Sequence, residues 1–193
     1  MNREVDIMSK RYYACVYGGA SKLLDDVYIK EVERLGEKIT ENGFNLVYGA
    51  GASGCMGAVA RGVKKSGGYI LGVSPHFIRE FEPMFDCDNS VLVDTMSERK
   101  MIMEKHADIF IITPGGVGTM DEFFQVLTLR HLKQIDTPIV ILNINGFYDS
   151  LLKLMDSLIE LKVVSKEVTK YYDVITSVDD AVLAERFNEI KKG

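Results

Sequence analysis

An α/β fold, a doubly wound parallel sheet with helices on both faces, is predicted by three observations. Short apolar runs alternate with amphipathic stretches along the whole chain. The runs are continuously apolar, with no alternation of polar residues, which is how strands read when both of their faces are covered. Glycine clusters follow the first, second and fifth runs, at the strand ends where open α/β sheets bind their ligands. The expected arrangement is Rossmann-like. Residues 1–193 are read as one nucleotide-binding domain, with 1–10 expected to fray.

Taken in order, Tyr12 to Tyr17 (YYACVY) is a first strand and Leu23 to Thr40 a helix. Asn45 to Tyr48 is a second strand, Met56 to Lys65 a helix, and Tyr69 to Val73 a third strand. Pro75 to Ser90 is the least regular stretch and is read as a functional loop, with Phe77, Phe81 and Phe85 serving base selectivity or simple packing. Val91 to Val93 is a short strand, Ser97 to His106 a helix, and Ile109 to Thr113 a buried strand. Thr119 to Leu132 is a helix, Pro138 to Leu142 a strand and Tyr148 to Leu161 a helix. A strand near Asp173 to Thr176 and a helix from Val178 to Ile190, with Ser177 as its N-cap, close the chain.

Composition narrows the function. A net charge of −5 with no basic stripe argues against nucleic acid as partner. Every apolar run is strand-sized, so no membrane span is expected. The start, MNREVDIMSKRYY, has no apolar leader, and three widely spaced cysteines (Cys15, Cys55, Cys87) fit a reducing cytoplasm. These cysteines read as small buried apolar residues, and no zinc or disulfide framework is implied. No metal and no cofactor are expected.

The glycine turns carry the chemistry. Gly18-Gly19 follows the first strand; Gly49, Gly51, Gly54 and Gly57 follow the second. Although GAGASG is a literal G-x-G-x-x-G, the next strand ends in Gly-Val-Ser-Pro-His with no acid for a ribose hydroxyl, so a dehydrogenase is disfavoured. No Gly-Lys-Ser/Thr follows any turn, which also disfavours a Walker loop. Thr113-Pro114-Gly115-Gly116-Val117-Gly118-Thr119 opens a helix, and its N–H groups and helix dipole suit a small anion such as a nucleotide 5′-phosphate. Arg99 shares a helical stripe with Ile102 and Met103, so it should point inward, toward an anion; the alternatives are a structural ion pair or a snorkelling surface arginine. Lys100 could pair with Glu104 at i,i+4.

Glu122 and Asp121 sit one turn inside that anion site. From local sequence Thr119-x-x-Glu122 reads first as a capping box, with Asp121 complementing the dipole. The chemical alternative starts from the nucleotide: if its phosphate lies on the glycine turn, its ribose lies nearby. Cleaving base from ribose develops positive charge on the sugar, which a carboxylate stabilises while activating water.

Met96-Ser97-Glu98-Arg99-Lys100, followed by Pro114-Gly115-Gly116-Val117-Gly118-Thr119-Met120-Asp121-Glu122, resembles the LOG (lonely guy) family of cytokinin-activating nucleoside 5′-monophosphate phosphoribohydrolases. The resemblance extends over nearly the whole chain. It includes Gly18-Gly19-Ala20-Ser21, Val47 to Gly57, and Asn143-x-x-Gly146-Phe147-Tyr148. It implies Arg99 and Glu122 as the catalytic pair, with Glu82, Lys100, Gly115, Gly116, Val117, Gly118, Thr119, Met120, Asp121 and Thr128 on the substrate. It also implies a homodimer. Ser97, Cys55 and Asp121 depart from the His, Leu and Glu common in the family, which bears on base and sugar fit. Many bacterial members carry the label lysine decarboxylase, but that chemistry wants a carbanion-stabilising cofactor and no lysine here stands out as its anchor.

The expected function is therefore hydrolysis of the N-glycosidic bond of AMP or an N6-prenylated relative, giving free base and ribose 5-phosphate. A non-catalytic nucleotide or cofactor carrier of the same fold is the alternative.

Overall fold

The computed structural model describes residues 11–193; the expected fraying of 1–10 lies outside them. Among the described residues seven strands form one parallel sheet: β1 Tyr12–Tyr17, β2 Phe44–Tyr48, β3 Ile70–Pro75, β4 Asn89–Val93, β5 Ile109–Ile112, β6 Ile139–Leu142 and β7 Asp173–Ile175. Their order is β4-β3-β2-β1-β5-β6-β7. The connecting helices are α1 Asp26–Glu41, α2 Gly54–Lys65, α3 Met96–His106, α4 Val117–His131, α5 Asp149–Glu160 and α6 Ala181–Lys192.

The two-residue period of a strand explains why the apolar runs are continuous. In β1, Ala14 and Val16 join a core under α1, α2 and α6 that includes Leu35, Val59 and Phe187. Cys15 and Tyr17 face the opposite core under α3, α4 and α5, which includes Met103, Phe123 and Met155. The central strands are buried on both faces, in keeping with a Rossmann-like, doubly wound architecture. Cys15 and Cys55 are buried and Cys87 is partly so.

Some boundaries differ from the sequence expectation. The last helix begins at Ala181 and is capped by Asp180, whose Oδ1 accepts Val182 N–H at 3.0 Å. Ser177 is not its cap, because its hydroxyl donates to Glu31 at 2.9 Å and accepts from Asp179 N–H. The 75–90 stretch contains a short 3₁₀ turn, His76–Glu80, and then ties itself to the second glycine segment. Ala52 N–H donates to Pro83 O and Phe85 N–H to Ala50 O, both at 2.9 Å. In this loop Phe81 stands 80% exposed and Phe77 44%, while Phe85 packs on the core. Packing accounts for Phe85 alone.

Among the described residues no helix is long and apolar enough to cross a membrane, and no group of three His, Cys, Asp or Glu side chains could hold a metal ion.

Candidate active site

Strand order reverses between β1 and β5, so the chain leaves those neighbours in opposite directions and opens a crevice at their carboxyl ends. The first and third glycine clusters meet there. Gly19 N–H donates to Pro114 O at 3.0 Å, and Thr113 donates to Tyr17 O through both its N–H (2.8 Å) and its hydroxyl (3.0 Å). This approach is so close that a Cβ on Gly18 would collide with the Thr113 hydroxyl. The crevice holds about 350 Å³ and is lined by Gly18, Gly19, Gly116, Gly118 and Thr119 on this side. Gly49, Glu82, Arg99 and Glu122 close the other. Its volume lies in the range of small-molecule sites, ~300–1,000 Å³.

Arg99 and Glu122 come together at its floor. Arg99 Nη1 donates to Glu122 Oε1 at 3.0 Å, and Arg99 Nε to Val73 O at 3.3 Å. Their side chains are only 12% and 6% exposed. Burial pushes the Glu122 carboxyl up to about 7, against the opposing pull of the Arg99 charge. A carboxyl there can hold or give up a proton near neutral pH, as general acid–base chemistry requires.

The capping-box reading of Glu122 fails because α4 starts two residues earlier than expected. Its N-cap is Gly116, which makes no side-chain cap bond, so Glu122 falls in the second turn with its carboxylate free for Arg99. The capping box lies instead on α3: Glu98 N–H donates to Thr95 Oγ1 at 3.1 Å, and Thr95 N–H to Glu98 Oε2 at 3.0 Å. That cap fixes the turn from which Arg99 leaves. Gly49 then admits the guanidinium, since a Cβ at this position would collide with it. The first glycine of GAGASG thus makes room for an arginine. Beside it Ala50 is held at φ 64, a left-handed conformation fixed by its carbonyl bond to Phe85.

Other expected site residues divide. Lys100 pairs with Asp121 at 2.8 Å, leaving Glu104 to bond Gln125. Glu82 lines the crevice with its Oε1 buried and unpaired, and burial raises its carboxyl while Arg99 opposes the rise. Val117 stands 88% exposed one residue from the lining Gly116. Gly115 sits behind the turn against the Thr119 hydroxyl, and Met120 packs on the core. Gly51, Gly54 and Gly57 shape backbone: Gly51 abuts Met56, Gly54 takes φ +57 against Gly19 O, and Gly57 abuts Ala52 O. Thr128 does not join the crevice. Its hydroxyl donates to Phe124 O at 2.7 Å, and it lines a separate apolar groove with Leu127, Met155 and Val163.

Met56, Ser74 and Ile78 line the crevice without having been anticipated. Ser74 is the penultimate residue of β3, and its place near the strand's carboxyl end could have found it. Ile78 lies on the 3₁₀ turn and left no periodic signal.

Comparison with known proteins places the chain among relatives. A family model described as "possible lysine decarboxylase" matches residues 56–184. The chain is 36% identical to a cytokinin riboside 5′-monophosphate phosphoribohydrolase of Mycobacterium tuberculosis, over 95% of this chain and 98% of that one. It is 30% identical to an enzyme of the same name from Arabidopsis thaliana, over 97% and 89% respectively. Among solved structures, a molybdenum cofactor binding protein from Rippkaea orientalis superposes with a TM-score of 0.70 at 18% identity, covering 93% of this chain and 98% of that one. The molybdenum cofactor carrier protein of Chlamydomonas reinhardtii also reaches 0.70, at 19% identity and 95% and 100% coverage. At such identities these two likenesses speak to the fold alone. With the sequence relatives and the matched model together, the chain belongs to the LOG family, the one whose model is described as possible lysine decarboxylase.

Proposed function

We propose that this protein is a nucleoside 5′-monophosphate phosphoribohydrolase. It splits AMP or an N6-prenylated relative into free base and ribose 5-phosphate. The observation that carries this reading is the buried Arg99–Glu122 pair opening into the same crevice as the Gly116–Thr119 turn. The names of the relatives agree with it.

The 5′-phosphate lies on the N–H groups at the start of α4, where the helix dipole favours an anion. Glu122 then faces the ribose and not the phosphate, which separates the two negative groups. As the bond from C1′ to the base nitrogen breaks, its electron pair leaves with the base, which takes up a proton. Glu122 stabilises the positive sugar and accepts a proton from the water whose oxygen bonds to C1′. Arg99 holds the carboxylate through Oε1 and bears on the ribose or phosphate oxygens, with Lys100 and Asp121 at the margin. Anchoring the remote phosphate orients the reacting carbon.

No lysine serves as a cofactor anchor in this scheme, and decarboxylation has no role. The protein acts in the cytoplasm as a homodimer. Exposed Val163, which lines the apolar groove that holds Thr128, supports self-association, as do exposed Leu132, Leu154 and Leu161. The test is product analysis: AMP and N6-isopentenyl-AMP are incubated with the protein, and free base and ribose 5-phosphate are measured. Tight binding of either nucleotide with neither product formed would make the protein a carrier instead.

A further inference from the structure

The Asn143-x-x-Gly146-Phe147-Tyr148 segment lies outside the crevice lining, and the proposed chemistry leaves it without a task. Its hydrogen bonds converge on the phosphate turn. The Tyr148 hydroxyl donates to the carbonyl of Thr113 at 2.6 Å, and both residues are buried. Burial raises the phenol's pKa, so it keeps its proton and stays a donor, while the Gly115 N–H nearby pulls the other way. Tyr148 thus bridges from the start of α5 to the first residues of the turn that opens α4.

The phenol is itself aimed by the segment. Asn143 Oδ1 accepts Tyr148 N–H at 2.6 Å, and Asn143 Nδ2 donates to Asp149 Oδ1 at 2.9 Å. Between them the chain reverses through Asn145 at φ 49 and Gly146 at φ 74, where a Cβ on Gly146 would press on the Asp149 carboxylate. Phe147 packs edge-on against Tyr148 at 4.9 Å between ring centres. A left-handed, asparagine-braced turn with a buried aromatic costs conformational freedom, and its polar end lands on one carbonyl.

That carbonyl belongs to a turn rich in glycine, which otherwise samples many conformations. Its N–H groups bind an anion well only if they already point at it, because ordering the turn on binding subtracts from affinity. Gly19 holds the turn at Pro114 O, and Tyr148 holds it at Thr113 O. We infer that Tyr148, aimed by Asn143, is a positioning residue that preorganises the 113–119 turn for the phosphate of the substrate. The inference rests on the proposed phosphate site and adds a specific determinant to it.

Calorimetric titration with ribose 5-phosphate and, separately, adenine tests it on wild type, Tyr148→Phe and Tyr172→Phe, alongside kcat and KM for AMP. Tyr172 offers loss of a phenol away from the turn. Tyr148→Phe is expected to bind ribose 5-phosphate about tenfold more weakly, the loss of one hydrogen bond. KM should rise in parallel, while adenine affinity and kcat stay within about threefold and Tyr172→Phe resembles wild type. Should Tyr148→Phe not fold, Asn143→Ser removes both bracing bonds without touching the phenol and is expected to show the same selective loss. Unchanged ribose 5-phosphate affinity overturns the inference, as does an equal loss for adenine. If wild type binds ribose 5-phosphate but leaves AMP intact, hydrolysis fails while the affinities still judge Tyr148. No binding by wild type overturns both.

Discussion

Glu122 carries two consequences at the scale of a single residue. Its carboxyl is lifted by burial to about 7 from an ordinary 4.5, so the proton is held where an exposed carboxyl would have lost it. The proposed role of Glu122 needs the ionised form, and kcat/KM reports the free enzyme. A pH series should therefore show kcat/KM falling about tenfold per unit below pH ~7 and levelling above it; a profile flat down to pH 5 would contradict the assignment. The stability sign is the reverse of the usual carboxylate case. Because the folded state binds this proton more tightly than the unfolded chain, the associated stability is present at low pH and is lost as pH rises toward 7. Denaturation at pH 5 and pH 8 should accordingly show a smaller difference for Glu122→Gln than for wild type. Arg99 was legible because its apolar helical stripe forced it inward. Glu122 was not separable from a cap, since that distinction depends on where α4 begins.

Two helical pairings govern the elements. The Thr-x-x-Glu pattern occurs at both Thr95 and Thr119, yet only Thr95 caps a helix. Gly116 takes the other start because the glycine turn enters the helix directly from β5. Sequence pattern cannot choose between such starts; the tertiary path of the turn does. Glycines at element contacts were similarly visible but not interpretable. Gly36 brings α1 against α2, where a Cβ would collide with Val59 O. Gly36→Ala should lower stability by about 1–3 kcal/mol in thermal or chemical melts, with activity per folded molecule unchanged. Gly49→Ala should do the opposite. Its Cβ would displace the Arg99 guanidinium, and a misplaced group of this kind costs about 10²-fold in kcat/KM. A variant with full activity would mean that Arg99 does not need its observed path.

At the scale of the molecule, strand alternation and glycine positions were enough to read the sheet and the edge that bears the site. They did not reveal which crevice residues converge, because that depends on the reversal between β1 and β5 and on the loop 75–88 folding back over Ala50 to Ala52. Thr128 shows the limit: a helix position carried over by resemblance lies in a groove away from the crevice. If that groove is the self-association surface, light scattering should give twice the chain mass, and Val163→Asp should reduce it to a monomer; a monomeric wild type would remove the dimer from the account. The central claim is a phosphate-anchored cleavage at a buried carboxylate. Its most direct measurement is the rate of adenine release from AMP and from adenosine by wild type and Glu122→Gln, with AMP binding measured for both proteins. The account predicts release from AMP and far less from adenosine, a loss of about 10²–10⁴-fold in Glu122→Gln, and AMP binding retained in that variant. Equal release from adenosine, or undiminished release by Glu122→Gln, would contradict it.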